Sequence, residues 1–457
     1  MPERDHPAHA HLGLDPQRTG LAESSPVRAA DVRTMATDLP AHGEGAVSVS
    51  GWIHRRRRLK AVDFLILRDR TGLIQIVVGD DHQRALLADL PEESVVRVDG
   101  TAVRHDAAPG GIEVTQPTIT VLSAVSEPVA VELWRPHLDL QLATLLDHAD
   151  VTLRHPARRA VFTLSAAALT GYRTVLTAQG FTEISTPKIV ANATESGANV
   201  FGIDYFGAEA FLAQSPQFYK QTMVGVFERV FEVGHVFRAE PHDTVRHLAE
   251  YTSLDAEMGF IADHRDVMAV ATDVVHGMLA AVAAQPESVT AAAVTMPMAP
   301  PTFPSIHFSD ALALVGAAPD EPDLAPDHER ALGEWGRSEH GSDFVFVYGY
   351  PMRKRPFYTH PQPDDPRWSN SFDLLFRGLE LVTGGQRLSR HEDYVQAIEA
   401  RLERPEDYAS YLAPFRHGMP PHGGFAFGLE RFVARLVGLD NVREATLFPR
   451  DLHRLTP

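Results

Sequence analysis

The chain has 457 residues, a formal net charge of −18 and no cysteine. That length accommodates two or three domains, and the absence of thiols excludes disulfides, thiolate metal sites and a cysteine nucleophile. The acidic balance argues against a uniformly basic nucleic-acid binder, but a local basic track can sit on an acidic body, so the distribution of charge decides.

Residues 1–40 are rich in Ala, His, Pro and Asp without a sustained period, which predicts a flexible N-terminal extension with no assigned chemistry. Its histidines could bind a metal, although a solvated tail is the simpler reading. The opening MPERDHPAHAHLG has no apolar core region, so neither a signal peptide nor a membrane anchor is expected. No run approaches bilayer-spanning length on this reading, and a cytoplasmic protein without a membrane partner is expected.

Residues 41–131 carry five short alternating runs, AVSVSGWIH, DFLILRD, LIQIVVG, VVRVDGTAV and GIEVTQPTITVLS, with one helix expected near His82–Asp89. That spacing predicts a small Greek-key barrel of the OB type. Arg55 to Arg58, then Lys60 and Phe64, combine cations with an aromatic as single-strand binders do. A solubilising surface strand explains the same run equally well.

Residues 132–155 have weak periodicity and read as a hinge, and 156–457 as the larger domain. ARRAVFTLSAAALTGYRTVLTAQGF has apolar residues at helical spacing, and FTEISTPKI reads as a strand ended by Pro187. Glu195 then lies in a Ser/Gly/Asn-rich loop. Lys220 opens a helix after Gln214-Ser215-Pro216-Gln217, against the dipole preference, which suggests an anionic partner. From Phe231 to Phe260 two alternating strands flank Arg238, Glu240, Arg246, His247 and Glu250, too dense a set for a plain hairpin; an arginine fork there suits a phosphate or carboxylate. Residues 262–345 form an Ala/Pro-rich insertion tied to no chemistry. Beyond it, RGLELVTGGQR clusters Glu380, Thr383 and Arg387, where an Arg377–Glu380 ion pair is the bland alternative. Finally HGGFAFGLERFVARLVGL runs a glycine-rich strand into a helix with Arg431 in its first turn, a geometry that admits a flat or anionic ligand.

The order of these segments resembles the three motifs of class II aminoacyl-tRNA synthetases. The wording FRAExxxxxRHLAEYTSLDAEM, GGFxFGLERF and LFPRDxxRLTP is similar to that of archaeal-type aspartyl-tRNA synthetases over residues 45–457. The resemblance implies an α+β protein: an N-terminal OB-fold barrel that binds the anticodon, then a class II catalytic domain with a mixed, mainly antiparallel sheet flanked by helices. It also implies a homodimer built on the helix and strand before Pro187. L-aspartate would be activated by ATP with Mg2+ and transferred to tRNA-Asp.

Residue by residue, the resemblance assigns aspartate binding to Glu195, Gln217, Lys220, Arg238, Thr383 and Arg387. Among these, Glu195 and Gln217 match the holders of the amino group, and Lys220 with Arg387 face the substrate carboxylate. ATP falls to Arg238, Glu240, Arg246, His247, Leu248, Glu380, Gly428, Leu429, Glu430 and Arg431, and Mg2+ to Glu380 and Thr383. Phe64 would stack on an anticodon base and Gln75 would read a base edge. His54 and Pro109 stand where members strict for tRNA-Asp have Trp and Lys, which implies a form that also charges tRNA-Asn. The alternatives are a discriminating aspartyl enzyme, an asparaginyl-type enzyme, a synthetase-like paralogue and a non-catalytic RNA-binding module; Lys220 speaks against the asparaginyl type, the intact barrel against the paralogue, and Arg238, Arg431, Glu380 and Arg387 against the non-catalytic module.

Overall fold

A computed structural model of the chain describes residues 33–191, 199–241 and 243–456. The expected extension to residue 32, and Glu195, lie outside that description. Two compact units meet in sequence at Pro136 and His137.

The first unit is a closed five-stranded barrel in the order β1 (Gly45–Arg58), β2 (Asp63–Arg68), β3 (Leu73–Val78), β5 (Ile112–Ser123) and β4 (Val95–Arg104). A helix, α1 (Asp81–Ala88), precedes β4, with the Asp80 side chain accepting from the Gln83 N–H as its cap. Alternation drives closure. Val47, Val49, Leu65, Leu67, Ile74 and Ile76 point inward and form one core. In β1 the alternation fails at one place: a bulge between Ile53 and Arg55 turns both Ile53 and His54 inward.

In the second unit, α2 (Pro156–Ala178) leads into the short strands β6 (Thr182–Glu183), β7 (Ile189–Val190), β8 (Gly202–Tyr205) and β9 (Ala208–Leu212). Next come α3 (Gln217–Phe227), the hairpin β10 (Arg229–Phe237) and β11 (Glu250–Gly259), and α4 (His264–Ala283). The chain continues through β12 (Ser305–His307), α5 (Pro326–His340), β13 (Phe344–Tyr348), β14 (Ser371–Phe376), β15 (Glu380–Gln386), β16 (His422–Gly428) and α6 (Leu429–Val437). Eight strands form one mixed sheet in the order β12-β13-β14-β15-β16-β11-β10-β6. All pairs are antiparallel except β12 with β13 and β10 with β6, so the expected α+β class holds.

Helices α2, α4 and α6 cover one face of this sheet, and their apolar stripes merge with Phe231, Leu254, Phe372 and Phe425 into the main core. Helix α4 corrects one expectation. Its 20 residues reach a mean hydropathy of 1.5, long and apolar enough to span a bilayer by length and composition. Val267, Val274, Val275, Met278 and Val282 are nonetheless buried against the sheet and α2. On the other face Leu332 of α5 packs with Val345, Val347 and Leu375 over the β13–β14 end, and the neighbouring strands carry the polar residues described next.

Candidate active site

One row across the central sheet organises the cleft. Register pairs Asp373 with Thr383, Thr383 with Ala426 and Ala426 with Asp255. Directly paired residues share a face, so two carboxylates and a hydroxyl line up on the open side. A cavity of about 300 Å³ lies over this row.

At one end sits a buried set of four charges. Lys220, in the first turn of α3 and 1 % exposed, donates from Nζ to Asp255 Oδ1 at 3.0 Å and to the Phe425 carbonyl at 3.2 Å, with Glu257 Oε2 at 3.4 Å. Arg387 donates from Nε to Glu257 Oε1 at 3.0 Å and from Nη2 to the Gly424 carbonyl at 3.0 Å. Gly424 is required opposite Glu257: a Cβ there would lie 2.1 Å from Glu257 Oε2. Burial works to raise the Glu257 carboxyl, but Arg387 and then Lys220 hold it below its ordinary range. The anionic partner expected for Lys220 therefore belongs to the protein itself. Asp255 and Glu257 went unread in the sequence, although Ser253, Asp255 and Glu257 at alternate positions of one strand share a face and signal a site. Asp255, Thr383 and Arg387 line the cavity, and Lys220 stands beside Asp255 without lining it. Gln217 also lines it, and its Nε2 is buried without a hydrogen-bond partner, so the wall holds one polar atom that a ligand can satisfy.

The β10–β11 connection supplies the opposite end. Arg238, Glu240, Arg246, His247 and Leu248 all line the cavity, joined by Gly428, Glu430 and Arg431. Arg238 lies over the Tyr251 ring at 5.6 Å. Thr244 Oγ1 and His247 Nδ1 are 2.6 Å apart, and His247 Nε2 is 3.8 Å from Glu240. Glu430 is engaged: both its oxygens accept the Thr252 N–H, at 3.0 and 3.1 Å, tying α6 to β11. Leu429 packs into the core, so only its backbone can reach a ligand.

Between the two ends stands Glu380, whose Oε1 accepts from Thr383 Oγ1 at 3.2 Å and lies 3.9 Å from Arg431 Nη1. Residues three apart on a strand normally face opposite ways. A register shift between Leu374 and Leu375 brings these two together. Burial, then Asp373, pushes the Glu380 carboxyl up to about 7, against Arg431. Arg377 does not pair with Glu380; it bonds Asp343 and the Arg435 carbonyl instead.

Asp373 is a residue the sequence reading missed. It is 3 % exposed, holds Arg355 Nη2 through Oδ2 at 3.0 Å and leaves Oδ1 without a hydrogen bond. An orphaned carboxylate oxygen beside a second carboxylate of raised pKa suits a divalent cation. Among the described residues no group of three or more His, Cys, Asp or Glu is arranged to hold a metal. The few hard oxygens present match an ion such as Mg2+ that keeps waters and takes phosphate ligands.

In the barrel, Phe64 pairs with Val77 and Ile66 with Gln75, so Phe64 and Gln75 share the outer face. Arg57 lies 5.1 Å from the Phe64 ring centroid, and Gln75 Nε2 donates to Glu113 at 2.8 Å. Pro109 begins an exposed turn at Pro109–Gly111. His54 departs from expectation: the bulge buries it, 7 % exposed, 3.0 Å from Arg68, which in turn pairs with Glu93. It offers no surface for a base.

The family described as tRNA synthetases class II (D, K and N) matches residues 141–452, and the OB-fold nucleic acid binding domain matches 47–122. A relative from Thermus thermophilus, named aspartate–tRNA(Asp/Asn) ligase, is 46 % identical over 93 % of this chain and 100 % of its own length. Among solved structures, asparaginyl-tRNA synthetase from Pyrococcus horikoshii complexed with asparaginyl-adenylate superposes with a TM-score of 0.87 at 31 % identity, over 93 % of this chain and 100 % of that one. An aspartyl-tRNA synthetase from Entamoeba histolytica follows with 0.81 at 27 %, covering 93 % of each. With a profile along more than half of its 457 residues and a relative aligned end to end, the chain belongs to the class II tRNA synthetases of the aspartate, lysine and asparagine group.

Proposed function

We propose that this protein is an aspartate–tRNA ligase that activates L-aspartate with ATP and esterifies it to tRNA-Asp and tRNA-Asn. The observation that carries the amino-acid assignment is the buried quartet of Lys220, Arg387, Asp255 and Glu257, two cations against two anions. An incoming aspartate brings an ammonium and a side-chain carboxylate. Partners then exchange: the ammonium takes Asp255 with Gln217 beside it, Glu195 is assigned to the same ammonium by the resemblance alone, and the side-chain carboxylate takes Lys220 and Arg387. Lys220 and Arg387 already have protein partners, and asparagine is refused because its neutral amide cannot replace the Asp255 carboxylate that Lys220 gives up.

In the first step the α-carboxylate attacks the α-phosphorus, the bond to pyrophosphate breaks, and aspartyl-adenylate forms. Two anions must meet, so the chemistry needs fixed positive charge and not a proton acceptor. Arg238 is assigned to the α-phosphate, Arg431 to the γ-phosphate side, and Glu240 with Arg246, His247 and Leu248 to adenosine and the remaining phosphates. Glu380 and Thr383, with Asp373, would hold Mg2+, which supplies charge neutralisation on the departing pyrophosphate. In the second step a terminal ribose hydroxyl of tRNA attacks the adenylate carbonyl and releases AMP.

Acceptance of tRNA-Asn draws support from the naming of relatives for both tRNAs and from Pro109 at the rim of the barrel. Buried His54 can act only by shaping that face. A homodimer in the cytoplasm fits the family.

The test has two arms. Pyrophosphate exchange is expected to run on aspartate at least about 100-fold better than on asparagine, as several kcal/mol of lost charge pairing implies; equal turnover would refute the amino-acid assignment. Transcripts of tRNA-Asp and of a variant changed only in the third anticodon base are expected to be aspartylated within about tenfold of each other. Silence on the second would restrict the enzyme to tRNA-Asp.

A further inference from the structure

Helix α5 lies in the segment 262–345 to which the sequence ties no chemistry. Glu329, in its first turn, is 8 % exposed and faces the sheet. Its Oε2 accepts the Glu380 N–H at 3.2 Å and lies 3.5 Å from Arg246 Nη1. One oxygen of an inserted helix thus touches two residues of the nucleotide end that are 134 positions apart (380 − 246) and lie on separate elements.

The helix cannot drift from this seat. A Cβ on Gly333, one turn beyond Glu329, would lie 2.6 Å from the Gly378 nitrogen, and one on Gly378 would lie 2.8 Å from Arg330 Cα. Backbone therefore rests on backbone. Gly378 (φ 69°) and Arg377 (φ 48°) form the left-handed turn between β14 and β15, and Arg377 fastens that turn through the Thr295 carbonyl at 2.7 Å and the Arg435 carbonyl at 3.0 Å. Glu380 is launched directly from it.

We propose that Glu329 is a positioning residue for the nucleotide end of the site. It holds the Arg246 guanidinium in the cleft by ion pairing, and it anchors the first residue of β15 so that the Glu380 carboxylate stands at a fixed height above the row of Asp373 and Thr383. The inference deepens the aspartate-ligase reading and rests on it. The chemistry favours a positioning role over ligand contact, since a carboxylate facing triphosphate would repel it, whereas one turned onto an arginine and a backbone N–H organises the positive group without meeting the anion.

The experiment is aspartate-dependent pyrophosphate exchange on the full-length enzyme with ATP and aspartate varied separately. E329Q keeps an acceptor for the Glu380 N–H and loses the charge; it is expected to raise the KM for ATP about five- to tenfold with the KM for aspartate unchanged. R246M is expected to raise the KM for ATP by at least as much. Adding E329Q to R246M should then change it less than twofold, because the residue through which Glu329 acts is gone. E329A, which also frees the Glu380 N–H, is expected to lower kcat besides; thermal melting checks its fold, and if it does not fold the E329Q and R246M cycle still decides. Wild-type KM for ATP in E329Q, or effects that multiply in the double variant, overturns the inference while wild-type exchange leaves the aspartate-ligase reading standing. No aspartate-dependent exchange by the wild type removes both.

Discussion

Arg387→Gln is expected to lower aspartate-dependent pyrophosphate exchange by roughly 10³-fold and to erase most of the preference for aspartate over asparagine. The magnitude follows from the loss of one buried, hydrogen-bonded charge pair, about 3–5 kcal/mol when only one partner is removed, with about 1.4 kcal/mol to each tenfold in rate. Three features place Arg387 at the upper end. It is 7 % exposed; burial would lower its pKa, but Glu257 outweighs that and raises it, so the charge persists; and its fork is already set by Glu257 and the Gly424 carbonyl. Little ordering remains when a second carboxylate arrives. Glutamine keeps a hydrogen-bond donor but is shorter and carries no charge. Arg387→Lys restores the charge without the fork and should recover part of the rate. Arg387→Gln leaves Glu257 with Lys220 as the remaining cation of the buried quartet, so a fall in thermal stability is also expected for that variant. Exchange within threefold of wild type in Arg387→Gln, by a protein that melts cooperatively, would remove the residue from the carboxylate site.

Glu380→Gln separates catalysis from stability. Exchange should fall by about 10²–10³-fold, as befits loss of one of the few anionic ligands of a charge-neutralising ion, and the Mg2+ concentration needed for half-maximal rate should rise. Stability of the ligand-free protein should move the other way. In the folded protein burial and then Asp373 raise the Glu380 carboxyl from its ordinary 4.5 to about 7. The folded state therefore binds more protons than the unfolded state between those values, and stability falls as pH rises through that window. Above pH 7 the folded protein carries the whole penalty; below about pH 4.5 it carries none. The side chain is 42 % exposed to the open cleft, so solvent screening trims the effect to about 1 kcal/mol. Glu380→Gln is thus expected to melt higher than wild type at pH 8 and alike at pH 4.5, with Mg2+ and ATP absent. A variant no more stable at pH 8 would show that Glu380 is not strained by its neighbours. Wild-type Mg2+ dependence would take it out of the metal site.

Much of the site was readable because its elements are local. The hairpin of β10 and β11, the glycine-rich strand β16 and the helix after it each announce themselves within about a dozen residues, through period-2 alternation, glycine placement and a helix start. Arg238, Arg246 and Arg431 were found that way, and the structure gathers them around one cavity. What escaped depends on partners far along the chain. Asp373 looks like any strand acid until β14 is paired with β15. Glu329 acquires a role only when α5 closes on the turn at Gly378.

Alternation and turn placement were enough to determine a small OB-type barrel, since they follow from which residues can face a core and which turns glycine and proline permit, whereas the class II sheet was expected from the resemblance of three motifs in order. Tertiary structure alone decided who pairs with Lys220, where Asp373 leaves an oxygen open, and why His54 is hidden. Lys220 meets Asp255 35 residues away and the Phe425 carbonyl 205 away, and His54, assigned by resemblance, is buried by one bulge that breaks the alternation of β1. Strand register and bulges set side-chain direction, and both are fixed by pairing with distant segments, a constraint no local window of residues contains.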